Sequence, residues 1–479
     1  MGRSRSRLLA GAALVLMATG ARAGEPGPGE TTPTTESDPG TDRAWTLQRL
    51  VERAESRSLQ VRVSQAEVDE ARALYELAAA QSLPRGELST IVGGPVPEAQ
   101  TRIQNDISTV TEASLGNDLN FGELGVTIRG NARFLQPLYG FGRIRSAKRA
   151  TGNLVEAAEA QKEATTAEVV LNVYRAFWTL QLVREFVRAL EEGQDTLQQV
   201  VDQLEELLDA ESGQVTENDR LRVNYALSTV RVRLAEARIG SERANQALRI
   251  LVDAPLGEPL SVAREDLWDG VPERAPDLDG LVRGVREERP ELQALRRVVK
   301  AQADFVELRR ANLLPNFFAG VLVEWAYTSN ATDQTNPFIF DPFNLFDLGL
   351  GVGLVWELDV FSKLAQLEQA KAQHATRVQQ QALATRAAEL EVRQLHAQMS
   401  GGFEQLVQLE DANRAARGWL TSTVLAFEIG AGDAAELIDA FVAFAASEAE
   451  LQSVRYNLIL RRAELARSVG RLRGLNAGS

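Results

Sequence analysis

The sequence predicts a mainly α-helical fold with a transmembrane β part, built from a helix–β-hairpin–long helix–helix unit that occurs twice. Three observations lead there. A set of landmarks recurs late in the chain, two helical runs far exceed globular length, and four short segments alternate apolar with polar residues.

The landmarks fix the repeat. Leu83-Pro84 returns as Leu314-Pro315, and Phe141-Gly142-Arg143 returns as Phe361-Ser362-Lys363. Gly213, Thr216 and Asp219 return as Gly430, Asp433 and Glu436, followed by Leu234 with Leu451 and Leu248 with Leu465. Self-similarity at one long period marks a duplicated structural unit. The first unit spans 44–252, with a hairpin over 85–136 and a long helix over 143–211. The second spans 290–470, with a hairpin over 316–358 and a long helix over 362–428, ahead of a 471–479 tail. Between them, 253–289 is rich in Pro, Gly and charge and reads as a crossover with at most a short helix.

The run from Arg143 to Glu211 holds no proline. At 1.5 Å per residue it would reach ~100 Å. Its apolar stripe passes through Val173, Phe177, Leu180, Leu197, Val201 and Leu204, a coiled-coil rhythm that places these side chains in a core. The helix after Gly430 carries Leu437, Phe441, Phe444, Leu451, Val454 and Leu458 in the same way. Gly401-Gly402 interrupts the second long helix and predicts a bend there.

Strand character follows each Leu-Pro. Val321 and Val323 share a face with Phe317, Trp325 and Tyr327, and Leu348, Leu350, Val352 and Leu354 alternate with Asp347, Gly349, Gly351 and Gly353. In the first unit Val126, Ile128, Ala132 and Phe134 alternate with Thr127, Arg129, Asn131 and Arg133, whereas Gly86–Val92 is the weakest strand and 93–121 reads as a long polar loop. About ten alternating residues with aromatics near the ends suit a membrane barrel strand, although a sheet packed on a soluble core would also alternate. Leu348, Leu350, Val352, Leu354, Val321 and Val323 are then the lipid-facing set. Four strands cannot close, and hydrocarbon does not tolerate an open edge, so the barrel must be shared. Three copies would give a twelve-stranded barrel.

Composition narrows function. Arg3, Arg5 and Arg7, the apolar Leu8–Ala18 run and Ala21-Arg22-Ala23 form a secretory signal over 1–23. A flexible Gly-, Pro- and Thr-rich linker follows over 24–43. Loss of the four signal arginines takes the formal charge from −14 to −18, which argues against nucleic acid as partner. With no cysteine and only His374 and His396, a zinc or copper site is improbable, and no cofactor is expected. The Gly349–Gly353 glycines alternate with apolar residues and open no helix, so they fail the structural condition for a nucleotide loop. No nucleophile elbow or P-loop is present, and the chain is not read as an enzyme.

These residues resemble the outer membrane efflux protein family, the TolC-like ducts. The resemblance runs from Trp45-Thr46-Leu47 to about Gly470 and rests on the doubled order of its motifs, with Ala80–Pro84, Leu135–Tyr139, Tyr174–Trp178 and Asn312–Pro315 among them. It implies an outer-membrane location, a homotrimer with a twelve-stranded barrel, a periplasmic tunnel, and docking on a periplasmic adaptor and an inner-membrane pump. It also implies a constriction at the periplasmic tip, where Asn218 and Asp219 of the first unit and Phe427, Gly432, Glu436 and Asp439 of the second fall by motif position. Gly432 stands where an arginine latch is found in the family, so any latch here must differ. A competing assignment sets the acids as helix caps, since Thr216–Asp219 and Asp433–Glu436 both have capping-box spacing. A soluble coiled-coil adaptor or stalk is the alternative at the level of the whole chain. It shares the long helices and lacks the strands.

Overall fold

A computed structural model of the chain describes residues 44–103, 115–209, 215–255, 260–331, 341, 343–429 and 431–472, with side chains for all of these but 94–103, 115–124 and 428. The expected signal and linker, and all but two residues of the expected tail, lie outside the described residues.

The first repeat runs through α1 (Leu47–Arg57), α2 (Leu59–Ala80), β1 (Arg85–Ile103), β2 (Leu115–Tyr139), α3 (Arg143–Asp209) and α4 (Glu217–Leu251). A four-residue helix, α5 (Leu267–Gly270), lies in the connection. The second repeat runs through α6 (Leu278–Glu288), α7 (Pro290–Ala311), β3 (Asn316–Thr328), β4 (Leu345–Val355), α8 (Val360–Glu428) and α9 (Ala434–Ser468). Helix lengths match pair by pair, at 11 and 11, 22 and 22, 67 and 69, and 35 and 35 residues. The duplication is therefore legible in backbone geometry as well as in motifs.

Two expectations change. The crossover holds an eleven-residue helix, α6, which is the counterpart of α1. Asp277 caps it by accepting from the Gly280 N–H at 2.7 Å, and Pro290 then opens α7 at the position where a missing N–H costs nothing. Its stripe of Leu278, Leu281, Val282 and Val285 packs on the α8–α9 core, but nearby prolines and two internal glycines hide it in the sequence. The polar 93–121 segment is also largely strand, since β1 continues to Ile103 and β2 starts at Leu115. Backbone pairing needs no apolar side chain. The register slips between Gly93 and Val96 and again after Pro97, around Pro95 and Pro97, which have no N–H to donate.

The strands form one antiparallel sheet in the order β1-β2-β3-β4. Three clusters hold the helices. One gathers Phe177, Trp178 and Leu180 of α3 with α1, α4 and the α5 region, and a second packs α6, α8 and α9 around Leu458 and Leu465. A third sits where both long helices end, with Leu197, Leu204, Leu227, Phe427 and Leu437. The α3 and α9 stripes thus supply core in the register expected, though Phe441 and Phe444 are only half-buried in a single copy.

Helix α8 runs unbroken across Gly401-Gly402. A Cβ at Gly402 would meet Leu458 Cδ2 at 2.9 Å, so that glycine allows close approach of α9. Most of α8 is exposed, including Leu383, Leu390 and Val407.

Candidate functional site

At the helix tips, α4 begins with a reciprocal cap. Thr216 Oγ1 accepts from the Asp219 N–H at 3.3 Å, the Thr216 N–H donates to Asp219 Oδ2 at 2.9 Å, and the Thr216 hydroxyl is 2.6 Å from that same oxygen. The hydroxyl hydrogen bond, before the backbone one, holds the Asp219 carboxyl below its ordinary range. Next to it, the Arg220 hydrogen bond and charge lower Glu217.

The second tip is built differently. Asp433 caps α9 by accepting from the Ala435 N–H at 3.0 Å, and no reciprocal bond comes from Glu436. The capping-box spacing at 433–436 is therefore not used as a box: two carboxylates repel, whereas a threonine hydroxyl can donate. Glu436 and Asp439 are exposed and make no hydrogen bond or ion pair among the described residues. Asn218 is exposed too.

Asn218 and Asp439 are brought to one groove of about 840 Å³ between α4 and α9. Leu221, Arg222 and Tyr225 line its α4 side and Ala435, Ile438 and Val442 its α9 side; Glu436 lies outside it. Arg222 is the residue that motif position missed. It lies one turn after Asn218, and i,i+4 spacing alone would have put it on the same face. Phe427 is buried in the tip core. At Gly432 a Cβ would lie 2.6 Å from the Phe427 backbone nitrogen, so no arginine or other side chain fits that position as the chain now folds.

At the other end the sheet sorts its residues by parity. Val321 pairs with Leu350 and Phe134, and Val323 with Leu348 and Ala132. Ala319–Val352 and Phe317–Leu354 continue that face. Neighbouring positions point the other way. There Glu87, Arg133 and Leu322 form one row, and Ser89, Asn131, Glu324 and Asp347 the next, with Arg133 on Glu87 at 2.7 Å. All six expected lipid-facing residues fall on the apolar face, and Leu348, Leu350, Val352 and Leu354 are exposed in the single copy. The opposite face is open at Gly351, where a Cβ would meet nothing within 4 Å. Glycines elsewhere accommodate rings, as Gly130 does Trp325 and Gly353 does Phe318.

Residues 281–471 match the family described as "Outer membrane efflux protein". The second repeat is thus similar to that family. The match begins inside α6, so the helix that the sequence hid belongs to it. Solved channels extend the likeness across both repeats at the level of fold. The outer-membrane channel OprN shares 21% identity and a TM-score of 0.71 over 88% of this chain and 89% of that one. The Campylobacter jejuni CmeC outer membrane channel shares 14% and 0.72 over 90% and 87%. The open-state Neisseria gonorrhoeae MtrE outer membrane channel shares 19% and 0.68 over 89% of each. A sequence comparison with curated proteins returns no match. Among the described residues, the chain has no helix long and apolar enough to cross a membrane and no group of three or more potential metal ligands.

Proposed function

We propose that the chain is one third of an outer-membrane exit duct, a passive conduit serving a tripartite efflux or type I secretion system. The observation that carries this is the sheet: four strands, an exposed apolar face, a polar face opposite, and two unpaired edges. Such a sheet is costly in water and costly in lipid unless copies close it. Threefold closure gives a barrel with Leu348, Leu350, Val352, Leu354, Val321 and Val323 toward lipid and the Glu324–Asp347 row toward the lumen. The pairs α3–α4 and α8–α9 then continue it as a tunnel, α3 alone being about 100 Å long at 67 residues.

The tips, with Asn218 and Asp439 in one groove and Glu436 beside it, are the constriction and the end that meets an adaptor and a pump. Asp219 contributes there as a cap. A soluble adaptor or stalk would account for the helices, but it leaves the apolar sheet face without purpose. Detergent-extracted protein reconstituted in a planar bilayer tests the proposal. Stepwise conductance from a homotrimer is expected; a monodisperse monomer that needs no detergent would refute it.

A further inference from the structure

The free edges carry enough geometry to say how they meet. Resting on the duct reading above, we infer that β4 of one copy pairs with β1 of the next in a single register, with Gly351 opposite Ile91 and Glu357 opposite Arg85.

In a threefold barrel the shear is shared equally among copies. The shift from one copy to the next must also be even, so that lipid-facing residues stay beside lipid-facing ones. With ~3.4 Å per residue and ~4.8 Å between strands, shifts of four, six and eight residues tilt twelve strands by about 35°, 47° and 55°, against a usual 35–45°. Eight is therefore disfavoured on tilt, and four and six remain.

The repeat decides between them. Arg85 and Asn316 hold equivalent places, each directly after Leu-Pro. The row through Arg85 crosses Leu135 and reaches Gly320, four positions beyond Asn316, then Gly351. The first hairpin thus already takes up a shift of four. A total of four would leave the second hairpin, its structural duplicate, with none. A total of six gives it two. A reverse shift of six would set Gly351 against Ala79, which is helical in α2.

Charge agrees. A shift of six places Arg85, which has no ion-pair partner among the described residues, opposite the largely exposed Glu357. Lys363 holds Glu357 from its own copy at 3.1 Å, leaving one carboxylate oxygen toward the neighbour. A shift of eight would instead oppose Glu87 to Glu357 and set Arg85 against Asp359, the N-terminal cap position of α8.

The chain has no cysteine, so paired cysteines report the register without background. Three double variants share Gly351→Cys, where a side chain meets open space, and combine it with Ile91→Cys, Ser89→Cys or Gly93→Cys. A two-residue slip moves Cα atoms ~7 Å along the strand, beyond disulfide reach. Oxidation of membrane-inserted trimers is expected to give at least about tenfold more cross-linked dimer and trimer with Ile91→Cys than with either control. Predominant linkage through Ser89→Cys or Gly93→Cys, or none in an assembled trimer, overturns the register. If Gly351→Cys prevents assembly, Arg85→Cys with Glu357→Cys decides instead, linkage supporting the pairing and its absence overturning it. A monomer without detergent would refute the duct itself; a trimer linked in another register refutes only this inference.

Discussion

Two carboxylates at equivalent places in the repeats, Asp219 and Glu436, have different surroundings. Thr216 gives Asp219 a donor hydroxyl, whereas Asp433 offers Glu436 only another negative charge. Removing the first cap, Thr216→Ala, is expected to cost ~1 kcal/mol. Hydrogen exchange over the first turn of α4 is the measurement. Its pH dependence follows from the depressed Asp219 carboxyl. That group binds fewer protons folded than unfolded, so its contribution is complete above the ordinary Asp value of ~3.9 and is lost as pH falls through the lower folded value. Acid-induced fraying of α4 should therefore appear below about pH 4 and lose part of its pH dependence in Asp219→Asn, Glu217 keeping the rest through Arg220. Glu436 and Asp439 have no such duty. Glu436→Ala with Asp439→Ala should weaken block by divalent cations and change conductance while the trimer's stability holds; unchanged block would return both acids to a merely local role. On the sheet, Leu350→Arg should cost ~2–4 kcal/mol at mid-bilayer, and Gly351→Ser far less. Equal assembly defects would contradict the assigned parity.

Among the elements, what could be read in the sequence depended on how each one hides or shows its burial. The α3 and α9 stripes were legible because two packed helices bury an i, i+3, i+4 set, and Phe177, Leu204, Leu437 and Leu458 obey it. The β3–β4 pair was legible because one side is apolar throughout. Helix α6 was not, since its few buried positions lie among Pro272, Pro276, Gly280 and Gly284. The far halves of β1 and β2 were not, since 94–103 and 115–124 lack the apolar–polar alternation that marks a strand in sequence, which backbone pairing does not require. Of the tip residues, Asn218 and Asp439 line one groove with Arg222, which motif position did not single out, and the capping-box spacing is used at Thr216–Asp219 but not at Asp433–Glu436. Gly402 illustrates the limit of propensity: a helix-weakening residue signals a bend, and it does not announce that the position also makes room for Leu458. Gly402→Val should therefore destabilise the α8–α9 pair by ~1–3 kcal/mol, as overpacking does, and Leu458→Ala should relieve the clash in the double variant. Thermal or denaturant midpoints of the four proteins of this cycle measure the coupling; strict additivity would argue against the contact.

For the whole molecule, intact mass of membrane-extracted protein should correspond to cleavage after Ala23, and a mass retaining residues 1–23 would count against export by this signal. The exposure of α8 has a wider consequence. A 69-residue helix that buries Val392, Met399 and Leu406 against its own chain leaves Leu383, Leu390 and Val407 uncovered on its other side. Most helical stability comes from packing rather than propensity, so in the proposed duct the uncovered side gains its cohesion from neighbouring copies. In the proposed duct folding and assembly are then coupled, part of the stabilisation arriving only on encounter. Recovery of native protein after denaturation should accelerate with chain concentration. Solitary chains should be cut by protease within α8 before they find partners, so abundance in the cell is set by the race between meeting and degradation.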